Sequence, residues 1–88
     1  MVLGTSVDWI SNGSIKAYPN PTSGIIRIDG VEEGNVIRIY NMAGINVKSV
    51  IAGSAIETTS LEDQPNGLYM ITISSGSQYI ARFKVIKN

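Results

Sequence analysis

The sequence predicts an all-β fold, a seven-stranded antiparallel β-sandwich, on three observations. Short runs of β-branched and aromatic residues recur along the chain, separated by clusters of Gly, Pro, Asn and Ser. Within the runs, apolar side chains return every second residue, the period that places them on one face of a strand. Helical periodicity is nearly absent, and seven such runs are enough for two packed sheets.

The first run, Ile15 to Tyr18, stops at Pro19-Asn20-Pro21. Two prolines remove two backbone donors and hold the residues before them extended, so no ladder can cross this segment and it acts as a rigid corner. Thr22-Ser23-Gly24 then turns the chain into the second run, Ile25 to Asp29. A Pro-rich ligand for an aromatic groove is the functional rival, poorly supported by one Pro-x-Pro without flanking charge.

The third run, Val36 to Asn41, puts Ile37 and Ile39 on a face opposite Arg38. It ends in Asn41-Met42-Ala43-Gly44, a type I turn in which the Asn41 side chain bonds the following backbone and Gly44 takes the left-handed conformation. The fourth and fifth runs are Val47 to Ile51 and Ile56 to Thr59. Pro65-Asn66-Gly67 reverses the chain into the sixth run, Leu68 to Ser74.

That run opposes Tyr69, Ile71 and Ile73 to Leu68, Met70 and Thr72. Apolar residues on both faces mark a central strand whose outer side is either covered by a loop or used for contacts. Ser74-Ser75-Gly76-Ser77 makes a short hairpin to the last run, Tyr79 to Ile86, with Tyr79, Ala81, Phe83 and Val85 facing inward and Ile80, Arg82, Lys84 and Ile86 outward. Arg82, Lys84 and Lys87 lie on or near one outward line, which reads either as a recognition stripe or as a solubilised face.

Composition bounds the function. The 88 residues carry 7 Lys and Arg against 7 Asp and Glu, so no long-range field gathers nucleic acid or anionic lipid, although a local patch can still form. A domain this small buries roughly 60 to 65% of the surface its extended chain exposes, and with no Cys to form a disulfide its stability rests on packing and correct turns. Absence of both His and Cys excludes Ser-His-Asp and Cys-His catalysis and the usual His or Cys metal sites.

The acids Asp8, Asp29, Glu32, Glu33, Glu57, Glu62 and Asp63 fall mostly in turns, where solvated carboxylates are ordinary. The pairs Glu32-Glu33 and Glu62-Asp63 lack the regular loop of a calcium site. No enzyme activity, cofactor or metal is expected.

No apolar segment is long enough to insert in a membrane, and the first residues lack the pattern of an export signal. If the protein is exported, the signal is expected on sequence outside an excised piece. Residues 1–15 read as a linker or a remnant of a preceding domain, with Ser11-Asn12-Gly13-Ser14 as a turn or flexible connection. Asn12-Gly13-Ser14 also fits a glycosylation acceptor, and Trp9 fits an edge anchor or part of a ligand platform; neither is assigned a function.

Four blocks in order carry a resemblance. They are Tyr18-Pro19-Asn20-Pro21-Thr22-Ser23-Gly24 with Ile26 and Ile28; Val36 to Asn41 with Gly44; Pro65-Asn66-Gly67-Leu68-Tyr69 running on to Ile73; and Phe83 to Lys87. From Lys16 to Asn88 the chain resembles the type A C-terminal sorting domain of the type IX, or Por, secretion system, found in Bacteroidetes at the C-terminus of secreted cargo.

The resemblance implies an immunoglobulin-like β-sandwich that labels a fused N-terminal cargo for the outer-membrane type IX translocon. It also implies transit through the periplasm and removal by a sortase-like protease before Lys16, with the cargo left at the cell surface or secreted. Tyr18, Pro19, Asn20, Pro21 and Gly24 match the first family block; Gly44, Gly67 and Tyr69 match its later turns and strand. Lys84, Val85, Ile86 and Lys87 match the terminal strand and, with Arg82, are the candidates for translocon recognition.

One departure concerns the loop before the sixth run. Many relatives carry leucine about three residues before the Gly-x-Tyr turn, where this chain has Gln64, with Leu61 six residues before Gly67. A longer loop is the expectation. The rival reading from another class is an accessory glycan-binding or spacer sandwich, which needs an aromatic platform; Tyr18, Tyr40, Tyr69 and Tyr79 are the available rings, with Tyr69 and Tyr79 on the inward pattern.

Overall fold

The computed structural model describes residues 15–88. Seven strands follow in order: β1 (Lys16–Tyr18), β2 (Ile25–Asp29), β3 (Val36–Tyr40), β4 (Asn46–Ile51), β5 (Ile56–Ser60), β6 (Gly67–Ser75) and β7 (Gln78–Lys87). There is no helix among the described residues. Each strand lies where period-two alternation puts it, with ends moved by one residue at most.

All named strand pairs are antiparallel and form two sheets, β1-β2-β5 and β4-β3-β6-β7. The arrangement is an immunoglobulin-like sandwich in which β4 pairs with β3 rather than β5, so it extends the sheet of the last two strands. Ile26 and Ile28 of β2 face Ile37 and Ile39 of β3 and Tyr69, Ile71 and Ile73 of β6 in one buried cluster. Ala81 and Val85 of β7 join it, and Ile15, Val31, Ala52 and Leu61 close it from outside the strands.

The inward face read for β6 is the buried one, and in β7 Ala81 and Val85 are buried with Phe83 packed against them. Tyr79 and Ile80 are exchanged relative to expectation. The register passes from Ile73↔Ala81 to Ser74↔Tyr79, leaving Ile80 as an extra residue on β7. This bulge shifts the alternation by one, so Tyr79 is 53% exposed and Ile80 packs on the core. A second irregularity, between Ile39↔Lys48 and Tyr40↔Asn46, leaves Val47 as the extra residue at the start of β4.

Leu61 resolves the loop question. It is fully buried, and Gln64 N–H donates to its carbonyl at 2.9 Å. The connection from β5 to β6 therefore fills the core from six residues before Gly67, leaving Gln64 at the turn.

Candidate functional site

The corner and the last strand form one unit. The Tyr18–Pro19 and Asn20–Pro21 peptide bonds are both cis, a geometry that the sequence reading did not specify. The Asn20 side chain lies along the outer edge of β7, its amide nitrogen donating to the Lys84 carbonyl and its oxygen accepting from Ile86 N–H, each at 3.0 Å. One amide thus does what a neighbouring strand would do, bonding a carbonyl and an N–H two residues apart.

The backbone continues the seam. Thr22 N–H donates to the Ile86 carbonyl at 2.8 Å, and Asn88 N–H donates to the Thr22 carbonyl at 3.0 Å, an isolated parallel bridge between Thr22 and Lys87. Thr22 is buried; its hydroxyl donates to the Ile25 carbonyl and accepts from Gly24 N–H. Gly24 has φ +152°, and a Cβ there would stand 2.5 Å from Glu62 Cγ, so the position requires glycine.

The turns behave as the residues indicate. Asn41 Oδ1 accepts from the N–H groups of Ala43 and Ile45, Gly44 N–H donates to the Asn41 carbonyl, and Gly44 has φ +80°. Tyr69 is buried at 3% exposure and its hydroxyl reaches back to the Pro65 carbonyl, the tyrosine corner of immunoglobulin-like sandwiches. That contact gives a reason for the Gly-x-Tyr spacing at Gly67 and Tyr69.

The terminal-strand residues divide by role. Val85 is a core residue, and Ile86 is 47% exposed while both its backbone groups are bonded to the corner. The Lys87 ammonium donates to the Gln64 carbonyl at 2.7 Å and to Asn66 Oδ1 at 3.3 Å, anchoring the end of β7 on the β5–β6 loop. Arg82 and Lys84 lie on the outer face of the four-stranded sheet, Arg82 half-buried and Lys84 exposed.

On that face the residues stand in cross-strand rows: Tyr40–Met70–Lys84 and Arg38–Thr72–Arg82. A cleft of about 310 Å³ opens around Tyr40, Met42, Leu68, Met70 and Lys84, and one of about 210 Å³ around Met70, Thr72, Tyr79 and Arg82. The outer side of β6 is therefore the floor of an open groove, walled at one end by the Asn41–Gly44 turn. Of the two alternatives read from the sequence, this favours an outer patch over a loop cover.

The outer face of the three-stranded sheet is organised differently. The Tyr18 hydroxyl donates to Asp29 Oδ2, Arg27 Nε donates to Asp29 Oδ1 at 3.1 Å, and the guanidinium lies 5.9 Å from the Tyr18 ring centroid. The hydrogen bond from Tyr18, then that from Arg27, holds the Asp29 carboxyl below its ordinary value, and the bond to Asp29 raises the Tyr18 hydroxyl. Nothing local in the sequence marks this triad beyond its three residue types, because it depends on the β1–β2 register.

Among the described residues, the tyrosine rings form no sugar platform. Tyr69 is buried and Tyr18 is on the other sheet. Tyr40 and Tyr79 are two strands and two rows apart, about 16 Å at ordinary strand spacings, with Met70, Thr72 and Arg82 between them. Among the described residues, no three acidic side chains converge as a metal site would need. Asp8, Trp9, the Asn12-Gly13-Ser14 turn and the expected cleavage stretch lie outside the described residues.

The chain belongs to the secretion system C-terminal sorting domain family, whose family model matches residues 16–88. Comparison with curated proteins and with solved structures gave no match. The match begins at the first residue of β1 and takes in every strand, so the described fold is the family's sorting unit. This is a type IX secretion sorting family and not an enzyme family.

Proposed function

We propose that this domain is a non-catalytic address label for export through the type IX translocon, and that β7 with its adjoining outer face is the part the machinery reads. The observation that carries the reading is the family match over the whole sandwich. The meeting of the first and last motif blocks at Asn20 supports it, because the amide bonds make the presentation of β7 depend on the corner. Tyr18, Pro19, Asn20, Pro21, Gly24, Gly44, Gly67 and Tyr69 act through folding. Arg82 and Lys84 are the contact candidates, whereas Val85, Ile86 and Lys87 hold the strand in place.

In this reading a cargo fused on the N-terminal side reaches the periplasm, is carried through the outer membrane, and is freed by a sortase-like protease that cuts before Lys16. The cargo ends at the cell surface or in the medium. The test is a fusion of the full chain behind a folded periplasmic passenger in a cell with a working type IX system. The passenger is expected outside the cell without its domain; a folded, full-length fusion retained in the periplasm overturns the reading.

A further inference from the structure

The neutral net charge conceals a separation. Five of the seven cations, Arg38, Lys48, Arg82, Lys84 and Lys87, lie on the strands of the four-stranded sheet, which hold no Asp or Glu. Lys48 pairs with Asp63 at 3.6 Å and Lys87 is anchored on the Gln64 carbonyl. Arg38 donates to Ser74 Oγ at 3.5 Å, and it stands with Arg82 and Lys84 on the outer face beside the groove.

Thr72 stands at the centre of that face, between Arg38 and Arg82 on the neighbouring strands. It is 8% exposed, and its hydroxyl is the one buried side-chain polar atom without a hydrogen-bond partner among the described residues. A buried orphan hydroxyl is costly, and an isosteric valine would avoid the cost, so the hydroxyl needs a reason. Thr72 is one of the residues lining the smaller cleft, together with Arg82. A donor beside a guanidinium suits a carboxylate, whose two oxygens accept from both.

The larger cleft, lined by Tyr40, Met42, Leu68 and Met70, suits an apolar side chain. Met70 borders both clefts, and their rows are separated by two residues along β6, about 6.8 Å. That is the distance between side chains i and i+2 of an extended chain. We propose that the outer groove of the four-stranded sheet docks an extended segment of a partner protein carrying an apolar residue and, two positions away, an Asp or Glu held by Thr72 and Arg82.

The proposal deepens the sorting reading by giving the chemistry of the segment that would recognise the domain. Its test is amide-resolved NMR titration of the full chain with the blocked peptide Gly-Ser-Leu-Ser-Asp-Ser-Gly and its Asp-to-Asn analogue. Shifts are expected at Met70, Thr72 and Arg82, with binding weakened about tenfold for the Asn analogue and for Arg82→Gln. Thr72→Val is expected to weaken binding about threefold while its melting temperature stays equal or rises.

Equal binding of the two peptides, unchanged binding by Thr72→Val, shifts confined to the other sheet or no binding at millimolar peptide overturns the proposal. So does binding to anionic phosphatidylglycerol vesicles that protects the same amides while the peptide leaves them unmoved. These outcomes leave the export reading standing, since that reading fails only if the wild-type fusion stays in the periplasm.

Discussion

The two outer faces of the sandwich solve the same problem in opposite ways. On the three-stranded sheet, Arg27 and Tyr18 converge on Asp29, so charge and hydroxyl are satisfied within the sheet. On the four-stranded sheet, Arg38 donates to Ser74 Oγ, but an apolar floor and an orphan Thr72 hydroxyl remain, with no carboxylate on the strands. A face that completes its own polar bonds gives a partner little to add, whereas one with an unmet donor and a half-buried apolar floor gains from contact. That difference is the reason the four-stranded face is the one proposed for recognition.

The largest way to break the comparison is to remove the core both faces rest on. Ile71 is fully buried on the central strand β6, and Ile71→Ala is expected to cost about 2 to 5 kcal/mol in denaturant unfolding. A loss under about 1 kcal/mol would show that the four-stranded sheet does not depend on this packing. Next is the seam. Gly24→Ala is expected to cost about 1 to 3 kcal/mol because both its φ and the Glu62 approach oppose a Cβ. Gly44→Ala, at φ +80° with nothing within 4 Å, isolates the backbone cost and should lose less.

Asn20→Ala sharpens the comparison by loosening only the edge of β7. It is expected to cost about 1 kcal/mol, with hydrogen exchange accelerated at the Ile86 amide while the Ile71 amide keeps its protection. Equal loss at both amides would mean that the corner supports the whole sheet.

The smallest effect belongs to the exposed triad. Asp29 has a lowered folded value, so its contribution is full above the ordinary carboxylate range and is lost as pH falls through the depressed value. Tyr18 has a raised value, so its contribution is present below the ordinary tyrosine range and is lost as pH rises through the raised one. Asp29→Asn should lower stability slightly near neutrality and converge with wild type in strong acid. A constant gap from neutral to acid pH would show that the carboxylate charge is not what the triad uses.

Much of the architecture was legible because alternation and turn chemistry are local. Ile37 and Ile39, or Tyr69, Ile71 and Ile73, announce their face by spacing, and Asn41 with Gly44 announces its turn by what those residues permit. The assignment failed at Tyr79 because a bulge is a property of a strand pair: one extra residue, Ile80, reverses the outward set near the hairpin. The candidate residues Asn20, Lys84 and Ile86 were visible as motif members, but their mutual bonds join positions more than sixty residues apart.

The sequence by itself determined the class, the strand order along the chain, the turns and most of the core, because period-two patterning and the dihedral limits of Gly, Pro and Asn act within a few residues. Tertiary structure alone decided which strands became neighbours, that Asn20 closes the edge of β7, and that Thr72 stands between two arginines from different strands. Cross-strand register sets those meetings, and register is fixed only when both sheets bury their faces together.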